Sequence, residues 1–272
     1  MITAQEYRSD IETLLTEYED NVREWLSKNN EHKLSETIPF FRDGVTCPEK
    51  WYAPNNDFRP LFILKEVSLG IDTRACVEQF HDTWGNQTRF EFAENPFDDI
   101  KIGKFLLWRK IAALAKGLEE IHNGADTCPY GKFDMSYQTG GDEYTGDIKG
   151  YLDYHARTAN PAYNDIIEKV AVLELKKIGG GRSANSELSL ATKHYTEHIA
   201  PFQDLICREI ELINPTVIIC CSREIFTQNL LSAVKNNTTD RLWIYGYHPT
   251  MNSIKHFYEE PLAAYKEYIF SL

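Results

Sequence analysis

Leu61-Phe62-Ile63-Leu64-Lys65-Glu66-Val67-Ser68-Leu69-Gly70 decides the fold class. It follows Pro60 and opens on four consecutive apolar residues. A half-exposed strand alternates apolar and polar side chains, whereas a strand covered on both faces is apolar throughout. The stretch therefore predicts a buried parallel strand over 61–64. Glu66 is expected in a polar turn at its carboxyl end, with Ser68 and Gly70 beside it.

Three more apolar runs read the same way: Val170-Ala171-Val172-Leu173, residues 216–221 and residues 242–245. Helical periodicity lies between and around them. Tyr7, Ile11, Leu14, Leu15, Tyr18, Val22 and Trp25 recur at three- and four-residue steps and predict a helix over 4–29. Residues 102–121 form a second helix. A third region breaks at Pro201, resumes through Leu205, Ile206, Ile210 and Ile213, and is stopped by Asn214-Pro215. Residues 223–234 and about 255–270 complete the set. Strand–helix alternation with continuous apolar strands predicts an α/β fold: one domain over 1–272, with four short parallel strands and helices on both faces. Residues 122–164, rich in Gly, Asp, Tyr and Thr around Gly140-Gly141, read as a long loop insertion over the core.

The chain has 272 residues, 42% of them hydrophobic and 12% aromatic, which argues against a disordered chain. Its net charge of −12 disfavours a general nucleic-acid binder, because such affinity comes from neutralised phosphates. No apolar stretch reaches the roughly 20 residues that span a bilayer, and the start Met1-Ile2-Thr3-Ala4-Gln5-Glu6-Tyr7 lacks a leader's apolar centre. The expected location is cytoplasmic. The six cysteines, Cys47, Cys76, Cys128, Cys207, Cys220 and Cys221, contain no C-x2-C pair, and no zinc ribbon or disulfide framework is expected. His194 and His198 are four apart, but Tyr195 stands where a helical zinc motif carries its Glu. No metal or cofactor is expected.

In open α/β sheets, ligands bind outside the carboxyl ends of the strands. Three of the four strands end on polar groups: Glu66, Glu174, and His248 in Tyr247-His248-Pro249-Thr250. A carboxylate there can activate water. A neutral imidazole can donate to developing negative charge. Gly179-Gly180-Gly181-Arg182-Ser183 follows a strand and is read ahead of a helix, a place where backbone N–H groups approach an anion. Lys176, Lys177 and Arg182 would support such a phosphate contact, and the alternative is a flexible connection.

Taken in order, Leu61–Gly70, Val170–Gly181, the helix end at Asn214-Pro215 and Tyr247–Thr250 resemble the uracil-DNA glycosylase superfamily over about 58–270. The resemblance implies a three-layer α/β/α fold and a pocket for an extruded base. It implies water activation by Glu66 and stabilisation of the leaving base by His248. Glu174 falls where such proteins carry an Asn that reads uracil, and Asn185 lies nearby for recognition. An ionised Glu only accepts hydrogen bonds, so it suits a base edge that presents N–H donors: cytosine, adenine or guanine. The partners implied are single- or double-stranded DNA, a nucleobase or a nucleotide. The alternatives are a non-catalytic binding module on the same fold and an enzyme of free nucleosides or nucleotides.

Overall fold

The computed structural model describes residues 2–29, 36, 40, 42–69, 106–125, 137–139, 142–144, 166, 168–181, 199–221, 235, 241–247 and 255–271. For residues 65–69, 106–110, 137–139, 142–144, 179–181 and 255 only the backbone course is described.

Helix α1 (Ala4–Lys28) begins on a reciprocal cap. Thr3 Oγ1 accepts from the Glu6 N–H at 3.2 Å, and Glu6 Oε2 accepts from the Thr3 N–H at 2.7 Å. Two of the otherwise unsatisfied N-terminal donors are met in this way. Strand β1 (Gly44–Val45) and the short helix α2 (Pro48–Trp51) lead to β2 (Pro60–Leu69). Then come α3 (Leu106–His122), the hairpin β3 (Tyr137–Thr139) and β4 (Asp142–Tyr144), and β5 (Ala171–Gly181). A 3-10 turn, Ala200–Phe202, opens α4 (Gln203–Ile213), which is followed by β6 (Val217–Cys220) and β7 (Leu242–Tyr245). A π turn, Lys255–Glu259, precedes α5 (Glu260–Ser271), where Pro261 supplies no N–H in the first turn. The helix expected over 223–234 lies outside the described residues.

The sheet order is β1-β5-β2-β6-β7, and β5, β2, β6 and β7 are parallel. The mixed α/β class holds, but the sheet has five strands rather than four. The added strand, β1, runs antiparallel on the edge of β5. Two residues carry no readable period, so its sequence gives no strand signal. It is held from outside itself, by the Tyr7 hydroxyl accepting from the Val45 N–H at 3.0 Å. The hairpin β3–β4 also stands inside the stretch read as a loop; Thr139 pairs with Asp142 across Gly140-Gly141.

Both faces of the sheet are covered. Leu61, Ile63, Leu173, Ile218 and Cys220 pack with Tyr7, Ile11, Leu15 and Tyr18 of α1 and Ile206, Ile210 and Ile213 of α4. Phe62, Leu64, Val172, Ile219 and Cys221 pack with Ile111, Leu114 and Leu118 of α3 and Leu262 and Tyr265 of α5. Gly117 lets those two helices close together: a Cβ there would stand 2.9 Å from Leu262 Cδ2. Helix α4 stops where its sequence says it should, with Asn214 left-handed at φ 50° ahead of Pro215. Among the described residues, no helix is long and apolar enough to cross a membrane.

Candidate functional site at the carboxyl edge of the sheet

The chain passes from β2 to β5 on one side, then returns to β6 on the other. Loops leaving β2 and β6 therefore depart in opposite directions. Such a reversal opens a crevice at the carboxyl ends of the two strands.

Strand β2 runs ten residues to Leu69, six beyond its pairing with β6, which ends at Ile63↔Cys220. The expectation of a turn after Leu64 is corrected: Glu66 and Ser68 lie within the strand. Glu66 pairs with Lys176, and Ser68 with Gly180. The glycine run is likewise strand rather than loop, since β5 extends through Gly181. A ladder continued past the apolar run keeps backbone groups paired, and this overrides the turn-forming tendency of Ser and Gly.

Two registers place an irregularity in β5. Against β2, four steps of β5 (Lys176 to Gly180) match two steps (Glu66 to Ser68). Against the edge segment, six steps (Val172 to Ile178) match four (Gly44 to Phe40). The two intervals overlap at Lys176–Ile178, so the extra residues sit around Lys177. A bulge of this kind re-aims side chains.

Lys177 is directed into the layer under α1 and α4. Its ammonium meets Asp43 Oδ1 and, at 2.9 Å, Glu209 Oε1, and all three side chains are buried. The Tyr18 ring centre lies 5.9 Å away, within cation–π range. Burial pulls the ammonium pKa down, but Asp43 and Glu209 together overcome this and hold it above its ordinary value. Burial pushes the Glu209 carboxyl well up; Lys177 opposes this and Asp43 adds to it. The phosphate contact expected of Lys177 is therefore corrected: its charge is committed to two carboxylates out of reach of solvent. Lys176 is also buried, at 2% exposed, rather than displayed on a loop.

The strand end expected at Glu174 is corrected as well, since β5 continues to Gly181; the residue lies within the strand and belongs to the other face. Its register partner Leu64 packs with Cys221 and Val172 beneath α3 and α5. Glu174 is 2% exposed, and its backbone N–H donates to Asp43 Oδ2 at 2.5 Å. Cys221 is fully buried; its thiol pKa is pushed well up by burial first, then by Cys220 and the Glu174 charge. Two strand spacings, about 10 Å, separate the strands of these residues. The row Glu174, Leu64, Cys221 crosses β5, β2 and the end of β6 at the reversal point. The buried Glu174 carboxyl thus lies level with the end of β6, beside Leu64 and one strand further from the neutral Cys221 thiol.

Beyond β7 stands an aromatic ladder. Ring centres are 5.4 Å apart for Tyr245 and Tyr247, and 4.6 Å for Tyr247 and His256. His256 Nδ1 lies 2.8 Å from Glu260 Oε1. Tyr245 pairs with Cys220, a residue of the α1/α4 face, whereas His256 lies in the segment whose Phe257 and Tyr258 pack on the α3/α5 face. His248, Gly70, Arg182, Ser183 and Asn185 lie outside the described residues.

Sequence reading missed Asp43 and Glu209. Glu209 had a signal: it is a charge on the apolar face of α4, four residues after Leu205 and three after Ile206. Asp43 had none, because only the fold brings it to β5. A cleft of about 320 Å³ opens at the opposite, amino edge of the sheet, where His122 Nε2 faces Asp57 at 3.3 Å and His122 Nδ1 meets the Tyr265 hydroxyl at 3.0 Å. Among the described residues, no group of three or more His, Cys, Asp or Glu side chains is placed to hold a metal ion.

No protein-family model, curated protein or solved structure matches the chain.

Proposed function

We propose that the protein binds a nucleobase where β6 ends beside β2 and β5 and hydrolyses the N-glycosidic bond that carries it. One observation carries the reading: Glu174 is a carboxylate 2% exposed beside the point where the strand order reverses. Beyond the contacts it makes within the protein, a carboxylate can accept further N–H donors. A base edge with exocyclic and ring N–H groups supplies them in one plane.

The roles follow from the resemblance of the strand-end motifs. Glu66 orients a water and takes its proton as the oxygen attacks the anomeric carbon. The bond from that carbon to the base nitrogen breaks. His248 donates a hydrogen bond to the negative charge that moves onto the departing base. Glu174 accepts N–H groups of the base, with Asn185 assisting. The net charge of −12 favours a free nucleoside or nucleotide over duplex DNA as the carrier of the base.

Base release from free nucleosides and from oligonucleotides carrying deaminated or damaged bases tests this. Glu66→Gln and His248→Ala are each expected to lower the rate about 10²- to 10⁴-fold, the range for a positioned acid, base or charge-stabilising donor. Unchanged rates in both variants would remove the assigned roles. Oligonucleotide binding compared at two salt concentrations separates the carriers, since phosphate contacts weaken steeply with salt.

A further inference from the structure

Asp43 makes two contacts with β5 that bear on opposite faces of the sheet. Its Oδ1 meets the ammonium of Lys177 on the α1/α4 side of the sheet. Its Oδ2 accepts the backbone N–H of Glu174, whose side chain serves the opposite face. The edge segment pairs with β5 at Gly44↔Val172 and again at Phe40↔Ile178, on either side of this point. Asp43 lies in the interval between, where the edge segment has three residues against five in β5. Within that interval the Glu174 N–H donates to the Asp43 carboxylate.

We infer that Asp43 is a positioning residue for the candidate site: it fixes the β5 backbone at Glu174 from behind, and so fixes the carboxylate that the base would meet. The inference rests on the base-reading role proposed for Glu174. The chemistry is specific. A carboxylate holds two donors at once, the ammonium and the amide, with one oxygen for each. Fully buried, it is neither displaced by solvent nor screened by salt. The Lys177–Glu209 contact behind it restrains the bulge, so a short side chain on the edge strand sets the geometry of a group on the far face.

Two variants separate this from a purely structural role. Asp43→Ala removes both contacts. Asp43→Asn keeps an acceptor for the fixed Glu174 N–H while losing the charge that Lys177 needs. Each variant is to be measured by thermal melting, by hydrogen exchange at the Glu174 amide, and by titration with cytidine, adenosine and guanosine. Both are expected to melt earlier than wild type. Only Asp43→Ala is expected to speed exchange at the Glu174 amide, by tenfold or more, and to weaken nucleoside binding at least tenfold. Asp43→Asn should stay within about threefold of wild type on both readouts, a difference of about 0.7 kcal/mol by the tenfold-per-1.4 conversion. Exchange at Glu174 unaltered in Asp43→Ala, or nucleoside affinity tracking the melting loss in both variants, would overturn the inference. Should wild type bind none of the three nucleosides, the base-reading role fails and Asp43 with it as a site residue, while exchange at Glu174 still reports whether the anchor exists.

Discussion

Replacing Lys177 by methionine is expected to remove about 3–5 kcal/mol of folding stability at neutral pH, the usual loss when one partner of a buried ion pair goes. The ammonium holds Asp43 and Glu209, and all three side chains are withdrawn from solvent. Methionine keeps the length of the side chain and supplies no charge, leaving two buried carboxylates with no counter-ion between them. Against a typical total of about 5–15 kcal/mol, the variant stands close to unfolding. The loss has a definite pH dependence. The folded Glu209 pKa already lies above its ordinary 4.5, through burial and the Asp43 charge, and Lys177 is what restrains it. Without Lys177 it rises further. A carboxyl raised in the folded state contributes stability that is fully present below its unfolded value and lost as pH rises through its folded value. The difference between wild type and Lys177→Met is therefore expected to be smaller at about pH 5 than at pH 8. Urea denaturation at the two pH values reads it directly, and a difference that widens toward acid would refute the coupling.

Trp51→Ala carries a loss of similar size, about 3–5 kcal/mol. Trp51 closes α2 and is fully buried among the residues of α1 and α4. Its indole N–H donates to the Ile213 carbonyl at 2.7 Å. That carbonyl lies in the last turn of α4, where backbone acceptors have no partner within the helix. Alanine leaves a cavity and removes the bond. Phenylalanine refills much of the space without restoring the donor, so Trp51→Phe is expected to recover all but about 1–2 kcal/mol. Equal losses in the two variants would show that the hydrogen bond, not packing, dominates.

The sheet was legible where its residues speak for themselves. Leu61–Leu64, Val170–Leu173 and the run ending at Cys220 are apolar on both faces because helices cover both, and each is a strand. The helix end at Asn214 was equally plain. Strand lengths were not. Lys65–Leu69 and Lys176–Gly181 have polar and glycine-rich sequences, and only their mutual pairing makes them strand. Glu174 was expected to close a strand, because a charge after an apolar run stands out, but β5 continues to Gly181 and places it within the strand. The assignment of Lys177 to phosphate failed for the opposite reason. Its partners are 134 and 32 residues away, at Asp43 and Glu209, and no local pattern announces a pairing made by the fold.

A titration shows whether Glu174 accepts the N–H groups of a base edge. Wild type and Glu174→Gln are each titrated with cytidine and with uridine. Wild type is expected to prefer cytidine by tenfold or more, since an ionised carboxylate accepts from the exocyclic amine and meets a uracil carbonyl with repulsion. Glutamine can donate as well as accept, so the preference is expected to collapse or reverse while the variant keeps its melting temperature within a few degrees. Equal affinity of wild type for the two nucleosides, or a preference that survives Glu174→Gln, would contradict it.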